Sequence, residues 1–175
     1  GSNTFAITPK QITITPNAGQ TKVYGDVEPN LAYTASEALL DGNSYSGAIA
    51  REDGKDVSTY AFNLGTLSAG NNYTLVLGGS NTFAITPKQI TITPNAGQTK
   101  VYGNTDPTFT YSASEALLAG NNYSGVIDRA SGNNVSTYAF NIGTLSAGNN
   151  YTLVLGGSNT FAITPRPITI TADAK

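Results

Sequence analysis

The chain contains no cysteine, methionine, tryptophan or histidine, and only 11% of its residues are charged. Without cysteine there is no disulfide framework and no thiolate metal site. Without histidine it lacks the usual general base near neutral pH, the Ser-His and Cys-His nucleophile pairs, and most transition-metal sites. A net charge of −2 leaves no basic patch for a phosphate backbone, so nucleic acid is not an expected partner. No apolar run approaches the roughly 20 residues of a membrane helix. These absences point away from an enzyme, and no catalytic, cofactor-binding or metal-ligating residue is expected.

What the chain does have is repetition. Gly1-Ser-Asn-Thr-Phe-Ala-Ile-Thr-Pro9 returns at 79–87 and again at 157–165, a period of 78 residues. Residues 1–78 and 79–156 differ at only sixteen positions. Solenoid repeats run to roughly 20–50 residues, so this period describes whole domains in series. A unit of this size can fold alone around a small core. Near-identical neighbours suit a structural array better than a single-site enzyme.

Alternation marks the module boundaries. Phe5 and Ile7 share one face of residues 3–8, and Ile12 and Ile14 share one face of residues 11–15, with only Pro9-Lys10 between. Residues 1–9 therefore read as the last strand of a preceding repeat, 10–87 as module one, 88–165 as module two, and 166–175 as the first strand of a following repeat. Ile7 and Ile12 lie an odd number of residues apart, so on one continuous strand they face opposite ways. The proline fixes its own φ and favours extended geometry before it. A flexible tether would be long and Gly/Ser-rich. The joint reads as stiff and end to end.

Within a module, strands are expected at 21–24, from 31, at 45–50, 57–64 and 73–77. Tyr60/Phe62/Leu64 and Tyr73/Leu75/Leu77 form core stripes. Ser36-Glu-Ala-Leu-Leu40 is the one helical candidate, with Ser36 as N-cap and Gly42 as stop. At about one and a half turns it cannot stand without tertiary support. The fold class is mainly β: two small tandem domains, each a β-sandwich or β-grasp-like sheet with at most one short helix, stacked as a rod.

Each candidate site has a plainer structural reading. Tyr24, Tyr33, Tyr45, Tyr60 and Tyr73 recur at Tyr102, Tyr111, Tyr123, Tyr138 and Tyr151; they could stack on sugars, but alternating strands use tyrosine to fill a small core. Tyr45 and Tyr123, in Asn/Ser/Gly surroundings, are the best ligand-facing pair. Calcium wants six to eight oxygens. Asp26 and Glu28 become Asn104 and Asp106, while Glu52, Asp53 and Asp56 give way to Ala130, Ser131 and Asn134, so turns explain the acidic residues better. Asn72, Asn122, Asn134 and Asn150 match a glycosylation sequon that so Asn/Thr/Ser-rich a chain produces by chance. Lys10, Lys22 and Glu37 recur as Lys88, Lys100 and Glu115, a set from which a Lys–Asn isopeptide staple is conceivable only in a buried triad. An acid–base pair such as Glu37 with Asp26 can be imagined, but it reads as solvated surface. The differences between copies gather in 26–34 and 41–56, with one more at 64/142; a ligand preference that differs between modules would reside there.

The order of Ile12-Thr-Ile-Thr, Lys22-Val-Tyr-Gly-Asp26 with Pro29 and Tyr33, Ser58-Thr-Tyr60, Gly65-Thr-Leu67, Asn72-Tyr-Thr-Leu75 and Phe83-Ala-Ile-Thr-Pro87 resembles the MBG repeat family of the Tyr-Gly-X type. Module two carries the same frame from Ile90 to Pro165, with Asn104 in place of Asp26. The resemblance implies tandem repeats of large bacterial adhesins and other cell-surface proteins, an extracellular location at the bacterial cell surface or secreted, and a stalk or adhesion role; it carries over no site residues. The expected function is a stalk or spacer that projects a distal binding region. The rival is direct binding of a host or other cell-surface glycan or protein, with avidity from repetition. Otherwise the partners are neighbouring repeats of the same chain, with no membrane insertion in this segment and a monomeric state.

Overall fold

A computed structural model describes residues 1 and 3–173 and divides the chain into two compact units, 1–87 and 88–175. Unit 1 runs β1 (Lys10–Pro16), β2 (Thr21–Val23), β3 (Tyr33–Ala35), β4 (Ala50–Arg51), β5 (Ser58–Asn63), β6 (Tyr73–Leu77) and β7 (Thr82–Thr86). Unit 2 repeats the series as β8 (Lys88–Pro94), β9 (Thr99–Val101), β10 (Tyr111–Ala113), β11 (Asp128–Arg129), β12 (Ser136–Asn141), β13 (Tyr151–Leu155) and β14 (Thr160–Thr164). Among the described residues there is no helix, so the mainly-β class holds in its helix-free form.

Each unit has a three-stranded sheet, β3-β1-β6, and a four-stranded sheet, β2-β7-β5-β4; unit 2 copies both. The first two strands of a unit are each paired with one of its last two. β1 lies parallel to β6, Ile12 opposite Leu75, and β2 lies parallel to β7, Lys22 opposite Ile85. Parallel neighbours need a long crossover between them, and here the intervening chain forms the rest of the unit. Every ladder joins strands of the same unit. Alternation then selects the core: Ile12, Ile14 and Phe83 have no exposed surface, and Phe62, Ile49 and Ile85 are nearly as deep. Their twins Ile90, Ile92, Phe140, Ile127, Phe161 and Ile163 do the same in unit 2.

Two sequence expectations fail locally. Residues 36–40 do not form a helix, because their polar groups are committed elsewhere. Ser36 N–H donates to Thr13 C=O at 2.9 Å and its Oγ accepts from Thr13 N–H at 3.1 Å, while Leu40 N–H donates to the Tyr73 hydroxyl at 3.0 Å. The residue expected to cap a helix instead extends the edge of β1. The strand expected at 45–50 survives as a bridge from Ser46 to Ser68 and then as β4. Gly47 interrupts it with φ of 73°, and a Cβ there would sit 2.1 Å from Thr66 O.

The terminal segments are informative because they duplicate core strands. Residues 3–9 form no strand, and Phe5 and Ile7 are 91% and 87% exposed. The identical residues at 81–87 contain β7, where Phe83 is fully buried. The difference lies in partners: β7 sits between β2 and β5, whereas residues 3–9 pair with no strand among the described residues. Residues 166–173 likewise form no strand and leave Ile168 and Ile170 exposed. Between β7 and β8 only Pro87 intervenes. Ile85 and Ile90, five residues apart across it, are both buried, each within its own unit.

Candidate functional site

The two variable stretches meet. Residues 28–31 and 48–53 line one groove of about 370 Å³ in unit 1. Residues 106–109 and 126–128 line its counterpart of about 320 Å³ in unit 2. β4 is the outermost strand of its sheet, and the groove runs along it. Leu31 is replaced by Phe109, whose ring stands edge-on to Phe140 at 5.3 Å and Phe161 at 5.1 Å. Phe109 thereby joins an aromatic cluster with Phe140 and Phe161 below the groove.

One invariant arginine organises this region. Arg51 Nε and Nη2 donate to the two carboxylate oxygens of Glu28, and Nη1 donates to the backbone carbonyls of Glu52 at 2.8 Å and Gly54 at 3.0 Å. Its guanidinium also lies over the rings of Tyr60 and Phe83, 4.7 and 5.1 Å from their centres. Lys22 Nζ reaches Glu28 at 2.8 Å. Arg129 repeats each contact with Asp106, Ala130, Gly132, Tyr138 and Phe161, and Lys100 repeats the lysine. A carboxylate held by two cations is stabilised in its charged form. The Arg51 hydrogen bond, with help from Lys22, lowers the Glu28 pKa to about 2, and Arg129 likewise lowers that of Asp106.

This network explains the pattern of variation. The loop after β4 is held through backbone carbonyls, so Glu52→Ala and Asp53→Ser cost it no bond. Tyr60 donates to Asp56 C=O and Tyr138 to Asn134 C=O, again to main chain. Position 28 needs only a carboxylate, and Asp106 provides one. Sequence reading weighed Asp26, Glu28, Glu52, Asp53 and Asp56 as calcium ligands, preferred turns, and missed Arg51; an arginine kept in a variable stretch was the available signal. Among the described residues no cluster of three acidic groups is placed to hold a metal.

The other candidates fall apart or turn inward. Lys10 and Glu37 form an exposed ion pair, and Lys22 belongs to Glu28, so the conceived staple triad is not assembled. Glu37 is also remote in role from Asp26, whose N–H closes a turn onto Val23. Tyr24, Tyr73 and Tyr151 are buried, whereas Tyr102 is 46% exposed. Tyr45 and Tyr123 do not aim outward. Each ring stands edge-on to Tyr33 or Tyr111, and each hydroxyl oxygen is buried with no hydrogen-bond partner among the described residues. Burial first, then the neighbouring tyrosine, pushes both phenol pKa values up. Gln20, unnoticed in the sequence, clamps the first variable stretch: its side chain bonds Ala32 N–H and C=O and Asn17 C=O, and Gln98 does likewise around Thr110.

The family model of the MBG domain (YGX type) matches residues 12–84 and again 90–162. The chain belongs to the MBG family. Both matches lie within the two units, so each unit is one MBG domain. No curated protein matches the chain. No helix among the described residues of the MBG pair is long and apolar enough to cross a membrane.

Proposed function

We propose that the MBG domains are spacer repeats of a large bacterial cell-surface adhesin, holding a distal binding region away from the surface. The observation that carries this reading is the joint: each unit closes its own ladders, and a single proline separates the last strand of one from the first strand of the next. A one-residue linker with fixed φ restricts the chain more than a Gly/Ser tether. The domains act mechanically, each adding length. Small-angle X-ray scattering on residues 1–175 at two salt concentrations tests this. Stacked end to end, two elongated units of this size span very roughly 80–100 Å. A salt-insensitive maximum dimension in that range supports the spacer; a compact or salt-dependent one overturns it.

A second reading, direct binding of a surface glycan or protein, is favoured by the groove that the variable stretches form in each unit. Repetition would then supply avidity. Retention on a glycan- or protein-coated surface, compared for one domain, two and four, separates the readings: a spacer shows no gain with number.

A further inference from the structure

We propose that the groove of unit 1 accepts an extended, lysine- or arginine-bearing peptide that adds as a strand to the outer edge of β4, and that unit 2 is closed to it. The proposal deepens the binding reading, whose own surface-retention test is separate, so either can fail alone.

The edge is open by geometry. β4 and β5 run antiparallel with Ala50 opposite Asn63 and Arg51 opposite Phe62, and Glu52 N–H donates to Ala61 C=O. In an antiparallel ladder, alternate residues point their amide and carbonyl groups at the partner strand. Ala50 and Glu52 therefore face β5, and Ile49, itself nearly buried, and Arg51 present theirs on the other side, where no strand lies among the described residues. An exposed edge of this kind is a template for strand addition. The Arg51 side chain does not obstruct it, being turned onto Tyr60 and Phe83.

Unit 2 shows the same edge blocked. The residue equivalent to Ala50 is Asp128, whose Oδ1 accepts from Arg129 N–H at 2.7 Å. That carboxylate takes the amide a docking strand would use. Ala50 offers no such oxygen.

Charge selects the occupant. Exposed Glu52 and Asp53 stand on the rim in unit 1, where unit 2 carries Ala130 and Ser131. Glu28 is already neutralised by Arg51 and Lys22, so the carboxylates left to a ligand are those of the rim. Half-buried Leu31 supplies the apolar contact. A strand alternates its side chains, so a peptide alternating apolar and cationic residues meets both.

The test is a titration of the full chain, labelled with nitrogen-15, with the peptide Lys-Val-Lys-Val-Lys-Val-Lys. The expected result is saturable shifts of the Ile49 and Arg51 amides without matching shifts at Ile127 and Arg129. Ala50→Asp should weaken binding at least about tenfold, and Glu52→Ala with Asp53→Ser should remove most of its salt dependence. All three substitutions install residues that unit 2 already tolerates, and circular dichroism confirms folding. A peptide N-methylated at alternate residues should not bind. Equal binding by Ala50→Asp, equal binding of the methylated peptide, or no shifts at about 1 mM peptide would each overturn the proposal.

Discussion

Arg51 grips Glu28 with two hydrogen bonds, Nε to Oε1 at 2.6 Å and Nη2 to Oε2 at 2.9 Å, and Arg129 keeps the same grip on the shorter Asp106. The arginine is the nearly buried member and the carboxylate the partly exposed one. It ties the 26–34 loop to β4 and the loop after it, so its removal should loosen a whole side of the unit.

Arg51→Ala should destabilise unit 1 by about 3 kcal/mol, because Glu28, two carbonyls and two rings lose a partner together. Glu28→Asp should cost under about 1 kcal/mol, since unit 2 already uses aspartate. Urea unfolding reads both: Arg51→Ala should give two transitions, the later one unchanged from the parent chain.

Acid should weaken this contact in a defined window. The folded Glu28 pKa, about 2, lies below its ordinary value of 4.5. A depressed carboxylate contributes stability that is complete above the unfolded pKa and is lost as pH falls through the folded one. The urea midpoint should therefore decline between about pH 5 and pH 2, modestly, because Glu28 is 41% exposed. Glu28→Gln should flatten the decline; an unchanged slope would discard the assignment.

Identical residues should behave oppositely by position. Phe83→Ala should cost about 3–5 kcal/mol, while Phe5→Ala should stay within about 0.5 kcal/mol. Thermal or urea unfolding of the two variants checks this directly. A comparable loss at Phe5 would mean that residues 3–9 pack after all.

Gly47→Ala should destabilise by more than about 1 kcal/mol. The backbone there has φ of 73°, and the new Cβ would meet Thr66 O. Wild-type stability in the variant would show that Gly47 does not need this conformation.

Tyr45→Phe should be neutral or stabilising by up to about 1 kcal/mol, because the lost hydroxyl is buried with no partner among the described residues. A clear loss of stability would reveal an ordered water or other partner at that oxygen.

Much of the strand plan was legible because alternation survives in short strands: β1, β5 and β6 fall where Ile12/Ile14, Tyr60/Phe62 and Tyr73/Leu75 placed them. Pairing was not legible. Nothing in Ile12-Thr-Ile-Thr says that its neighbours are β3 and β6, since period two fixes a face and leaves the partner open. Ser36 misled because N-caps and strand edges use the same hydroxyl chemistry. Arg51 was missed because the carboxylate it grips, Glu28, lies far off in sequence, and Tyr45 because polar neighbours along the chain do not report what covers a ring in three dimensions.

Every ladder closes inside its own unit, with one proline between units. Cutting out residues 10–87 as a block removes one complete hydrogen-bonding set and leaves the other whole. For the gene, this makes copy number a free variable. Unequal recombination between near-identical stretches would add or delete whole domains without exposing an unpaired strand. Array length could then drift between generations while each domain's fold stayed under constant selection.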